Sequence, residues 1–116
     1  MKRQTTYAKR KETRAIRAAV WGRSDGHCEC GCGVFLGDPS DRGELDHFRG
    51  RAKASQAVDN CWRLATDCHR NKTNNLPDAA HWLERYIEHC ERHGYGAEIE
   101  WACGRIDWLA AKGRAA

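Results

Sequence analysis

At 116 residues and 13.2 kDa the chain has the size of one domain of about 100–150 residues, which excludes a multidomain machine. Hydrophobic types make up 41% of it and mean hydropathy is -0.84, so no apolar run approaches the ~18 residues of a membrane-spanning helix. A chain this short buries only roughly 65% of its unfolded surface, and with a formal net charge of +4 and seven cysteines its small core is expected to be reinforced by thiol chemistry.

Residues 1–20 hold seven bases against one acid, and residues 1–7, without apolar periodicity, are expected to be a flexible basic arm. The start has no hydrophobic stretch behind its basic residues, so a secretory leader is not expected and a cytoplasmic setting is. From about Ala8 to Trp21 helix formers dominate, with Ile16, Ala19 and Val20 on one stripe, and the helix is expected to stop near Gly22. Arg23 to Gly33 is dense in Gly, Asp and Cys and reads as a turn closing into a metal knuckle. Val34-Phe35-Leu36 is a candidate short strand, ended by Gly37-Asp38-Pro39-Ser40. Residues 21–41 are acidic, with one base against four acids, whereas 42–75 have seven bases against four acids. Gly43 to Phe48 is a second strand candidate, and Cys61-Trp62-Arg63-Leu64 looks like its returning partner. A short helix through His69 and Lys72 follows, N-capped by Thr66 or Asp67. Asp78 is expected to cap a longer helix burying Trp82, Leu83, Tyr86, Ile87 and Cys90 and ending near His93-Gly94. A last helix, about Ala97 to Ala111, carries Ile99, Ala102, Cys103, Ile106 and Leu109 on one stripe. Trp82, Trp101 and Trp108 are expected to pack as core.

The odd number of cysteines and the cluster Cys28-Glu29-Cys30-Gly31-Cys32 favour metal ligation in a reducing compartment over a disulfide framework. The two basic segments suit a polyanion, because each phosphate neutralised by Lys or Arg releases condensed counterions. They equally suit a solvated face.

Asp46-His47, Asn60 and Cys68-His69-Arg70-Asn71-Lys72-Thr73, in that order and behind a cysteine knuckle, form a joint pattern. It resembles the HNH endonuclease family, whose signature is an Asp-His pair, a following Asn and a Cys-His-x-x-Lys-Thr helix. The match covers about a quarter of the chain, and it implies a small α+β fold with a ββα-metal core over about 43–75. An N-terminal helix and two C-terminal helices, about 78–111, would flank that core within a single domain, 8–116. The resemblance implies metal-dependent hydrolysis of DNA phosphodiester bonds, leaving 5′-phosphate and 3′-hydroxyl ends. Asp46 and His69 would hold a divalent ion such as Mg, Mn or Ni. His47 would be the general base, since an imidazole titrates near working pH, and Asn60 would orient it. Thr73 stands where some relatives have a third ligand.

Many family members also hold a tetrahedral zinc between two Cys-x-x-Cys knuckles. Here the second is incomplete, with Ala65 in place of its first cysteine, while the first has an extra one. Cys28, Cys30, Cys32 and Cys68 together would restore a closed four-thiolate zinc site. The alternatives are a site using His27 or Cys61, or no metal, with the cysteines as small buried hydrophobes. Cys61, Cys90 and Cys103 are expected in the core, and His27, His81, His89 and His93 as ordinary surface or core residues.

Arg49, Arg51 and Lys53 in the loop after the Asp-His pair, with Arg70 and Lys72, are candidate DNA phosphate contacts that position without reading sequence. Specificity would then be weak, or supplied by other phage or bacterial proteins, while double-strand cleavage would need two sites, by homodimerisation or repeated nicking; no membrane partner is expected. The rival reading is a zinc-stabilised nucleic-acid-binding module without catalysis.

Overall fold

A computed structural model describes residues 6–37, 42–49 and 58–115, with side chains from residue 14 to residue 113 within those ranges. It is an α+β structure of four helices and one two-stranded antiparallel sheet. The elements run α1 (Thr6–Ser24), β1 (Glu44–His47), a 3₁₀ turn (Val58–Asn60), β2 (Cys61–Leu64), α2 (Thr66–Thr73), α3 (Ala79–His93) and α4 (Gly96–Ala115). Of the expected basic arm, residues 1–5 lie outside the described residues, and Thr6 and Tyr7 open α1.

α1 buries Ile16 and Val20, one turn apart, against Cys61 of β2. It runs two residues past Gly22 because Arg23 is anchored: its guanidinium donates to Glu29, to the carbonyls of Val58 and Cys61 and to the Tyr95 hydroxyl. The helix ends where Asp25 and Gly26 take positive φ of 50° and 77°. The expected strand at Val34–Leu36 reduces to a single bridge between His27 and Phe35. Phe35 is exposed and, among the described residues, has no second strand to extend along, and the segment instead closes the cysteine loop through Cys28 N to Val34 O at 3.0 Å.

In the sheet, Glu44 faces Leu64, Leu45 faces Arg63, Asp46 faces Trp62 and His47 faces Cys61. Side chains alternate along a strand, so Glu44, Asp46, Trp62 and Leu64 share one face, and Leu45, His47, Cys61 and Arg63 share the other. The first face meets α2, α3 and α4 in the main core, where Phe48 stacks on Tyr86 at 3.9 Å and both rings sit edge-on to Trp62. The second face meets α1. Arg63, counted above among the bases of 42–75, is buried, donating to Ser24 Oγ and to the carbonyls of Gly37 and Arg42.

α3 follows the expected pattern. Asp78 caps it by accepting from His81 N at 2.7 Å, Gly94 ends it at φ 73°, and Trp82, Leu83, Tyr86 and Cys90 are buried. α2 begins after Ala65 without a side-chain cap. α4 corrects two expectations. Cys103 and Trp108 are exposed, because Glu98 and Ala102 mark the face of α4 turned inward, and Cys103 is rotated about 100° from Ala102. Cys61 and Cys90 are fully buried, as expected.

Candidate metal sites

Three cysteines approach one point because the loop Cys30-Gly31-Cys32-Gly33 turns twice through glycines at φ 86°, a region closed to most side chains. Glu29 fastens this loop to the sheet edge: its N–H donates to Arg63 O and its carboxylate accepts from Arg63 N, both at 2.8 Å. The fourth cysteine, Cys68, arrives from the first turn of α2, 38 residues from Cys30. All four Sγ atoms lie within 4.8 Å of one another, and no disulfide joins them. Zinc bound to sulfur at about 2.3 Å in a tetrahedron sets sulfur–sulfur separations of about 3.8 Å. Cys30 to Cys68 and Cys32 to Cys68 are each 3.8 Å, and Cys28 to Cys30 is 3.4 Å. The group fits a metal such as zinc.

The thiols interact strongly. The hydrogen bond from Cys30 lowers Cys28 to about 5, and Ala65 N–H adds a further donor to its sulfur at 3.3 Å. As that donor, and by burial, Cys30 is pushed far up. Burial, then the charge of Cys28, pushes Cys68 up to about 12. One thiolate forms readily, and further ones call for a cation among them. His27, the alternative ligand, instead turns Nδ1 to the Asp25 carbonyl at 2.8 Å, and Cys61 lies against α1.

A second constellation occupies the sheet face under α2. Asp46, from β1, accepts from the indole N–H of its cross-strand neighbour Trp62 at 2.8 Å. One turn apart on α2, His69 and Lys72 both reach it, His69 Nε2 at 3.3 Å from Oδ1 and Lys72 Nζ at 2.9 Å from Oδ2. Glu44, given no role by the sequence reading, lies on the same face and hydrogen-bonds His69 Nδ1. That hydrogen bond, foremost among its causes, holds the Glu44 carboxyl below its ordinary range. Since a carboxylate only accepts, Nδ1 is the donor to Glu44, and Nε2 faces Asp46 Oδ1. Asp46 Oδ1, the oxygen that faces His69, also accepts from Lys72 Nζ at 3.1 Å. Ligands at about 2.0–2.1 Å from a tetrahedral ion stand about 3.3–3.4 Å apart, a separation this pair matches, and Glu44 orients the imidazole from its other side.

His47 leaves the sheet on the other face, with Leu45 and Cys61, and is buried. Asn60 is 1% exposed, and its Oδ1 accepts from Arg49 N at 3.0 Å while its carbonyl accepts from Phe48 N at 2.9 Å, pinning the chain just after His47. Arg49 turns inward: Nη1 meets Glu98 Oε1 at 3.2 Å and the guanidinium lies 4.5 Å over the Trp101 ring. Arg70 is exposed beside Asp67. Arg51 and Lys53 lie outside the described residues.

A third cluster has no counterpart in the sequence reading. Glu29, His89 and His93 bring ligand atoms within 4.8 Å of one another, at an open pocket of about 320 Å³ that Arg23, His27 and Arg92 also line. The spacing His89-x-x-x-His93 was the signal available, since it sets two imidazoles one turn apart on α3. Burial pushes His89 down to about 2, and burial likewise lowers His93. Comparison with protein-family models, with curated proteins and with solved structures gives no match.

Proposed function

We propose that the chain is an HNH-type endonuclease that hydrolyses DNA phosphodiester bonds with a divalent ion at Asp46 and His69. The observation that carries this is the meeting of those two side chains, one from a strand and one from a helix, with Nε2 and Oδ1 3.3 Å apart. Glu44 holds the imidazole from behind. When bound there, Mg, Mn or Ni supplies charge neutralisation at the phosphoryl oxygens and a coordinated water. His47 takes a proton from the attacking water, and Asn60 fixes the backbone that carries it. Lys72, besides holding Asp46, sits where a phosphate oxygen would find a positive charge. The exposed Arg70 and the bases outside the described residues, Arg51 and Lys53, bind backbone phosphate. The four cysteines hold a structural zinc that ties the knuckle loop to α2, in support of the site rather than in the reaction.

A second reading, a zinc-stabilised nucleic-acid-binding module, draws support from Lys72, whose ammonium already neutralises Asp46. Supercoiled plasmid incubated with Mg, Mn or Ni, with and without chelator, separates the two. The nuclease reading expects nicked or linear DNA that chelator suppresses. His47→Ala is expected to lower the rate by about 10²–10⁴-fold, the usual contribution of a general base, and His69→Ala to abolish it, with DNA binding retained in both. Unchanged cleavage by His47→Ala would remove that residue from its role; no cleavage with any metal favours the binding module.

A further inference from the structure

We propose that Glu29, His89 and His93 form a second metal-binding site, for a first-row divalent ion of the zinc type, one residue along the chain from the cysteine cluster and independent of the nuclease reading. His89 Nδ1 and His93 Nε2 lie 3.6 Å and 3.9 Å from the same atom, Glu29 Oε2. Nitrogen and oxygen ligands at about 2.0–2.2 Å from a tetrahedral ion stand about 3.3–3.6 Å apart. Closing the remaining few tenths falls to His93, the last residue of α3 and a partly exposed one. The two imidazoles need no folding accident to meet, because residues i and i+4 share one helix face.

An independent observation points to a ligand. His89 is fully buried, yet neither ring nitrogen has a hydrogen-bond partner. Buried polar atoms are paired in nearly all proteins, because leaving one unmade costs its whole desolvation. An imidazole with two open nitrogens beside a carboxylate oxygen, at the wall of a pocket, is a ligand awaiting an ion.

The carboxylate is held ready for it. Oε1 of Glu29 accepts from Arg23 Nη2 and Arg63 N, and Oε2 accepts from Arg23 Nε, so the group cannot rotate away. Arg23 also neutralises much of its charge, which weakens it for a hard cation such as Mg or Ca. Most of the affinity then comes from two imidazoles, and that donor set selects zinc and its first-row neighbours. Three protein ligands leave a fourth position open to the pocket.

The test uses the full chain, loaded with excess zinc, freed of loose metal by gel filtration and assayed for bound metal. His93→Ala is expected to hold one zinc equivalent fewer than the wild type. His93→Phe, which keeps a ring stacked on Tyr95 but has no ligand, is expected to match it. With cobalt in place of zinc, both variants are expected to keep the thiolate charge-transfer band, so the loss is not at the cysteines. His69→Ala, a change at the proposed nuclease ion, leaves the His93-dependent equivalent in place. Equal zinc content in wild type and His93→Phe would overturn the site, whatever the outcome of the plasmid assay.

Discussion

Glu29 is a single residue between two cysteines, and its carboxylate is where three segments meet. It takes two bonds from Arg23 of α1 and one from the backbone of β2, and faces the imidazoles of α3. Its place in the chain reveals none of this, because the partners come from 6 to 64 residues away. Cysteine environments, by contrast, were largely legible: three crowded thiols plus one near a histidine suggested a four-ligand set, and Cys61 and Cys90 occupied apolar positions. Cys103, expected in the core, is exposed, since a stripe drawn on a helix does not say how wide a face its neighbours cover. These environments predict reactivity. At pH 8 with zinc bound, iodoacetamide is expected to modify Cys103 first. Cys90, which burial pushes up to about 12, and fully buried Cys61 are expected to react only on unfolding. Peptide mass mapping of a time course checks the order, and early labelling of Cys90 would contradict it.

Among the elements, α3 owes its boundaries to two side chains that the sequence already named. Asp78 satisfies one of the free N–H groups at its start, and Gly94 turns the chain through φ 73° at its end. Asp78→Ala is expected to cost about 1 kcal/mol, and Gly94→Ala a similar amount, because alanine is strained in the left-handed region. Urea unfolding curves of the two variants and their double mutant check both values. Additivity within a few tenths of a kcal/mol is expected for caps at opposite ends of a helix. The β1 strand teaches the converse lesson. Asp46 and His47 are neighbours in sequence and read as one functional pair, yet strand alternation sends them to opposite faces of the sheet. Past the strand, Asn60 holds the turn at Phe48 and Arg49 by two hydrogen bonds.

At the scale of the whole molecule, the cysteine cluster joins the loop after α1 to helix α2. The described part of α2 buries no residue fully, so its attachment depends on Cys68 and on the contacts of His69 and Lys72 with β1. With zinc held by the four cysteines, its removal is therefore expected to loosen α2 before α3 and α4, which pack through the aromatic core. A strong chelator, or Cys68→Ser, is expected to lower the Tm and to raise hydrogen exchange in residues 66–73 well ahead of 79–93. Uniform exchange across the two helices after metal removal would refute that order. Cys68→Ser, unlike the chelator, is expected to spare the grouping of Glu29, His89 and His93, which lie on α3 and on the Arg23-clamped end of the loop.

Sequence alone determined the four helices and the β1–β2 pair, though not the strand expected at Val34–Leu36, together with the caps of α3, most of the apolar face that α3 buries and the identity of the four cysteines. These are set by local periodicity, backbone preference and the count of metal-ligating residue types, all carried within a few turns of chain. Tertiary structure decided which side chains face one another. It turned Arg49 and Arg63 inward, left Trp108 in solvent, put Glu44 behind His69 and set Glu29 against His89 and His93. Each of these depends on the packing of segments far apart in the chain, where burial and partner geometry, rather than residue type, settle what a charged or aromatic side chain does.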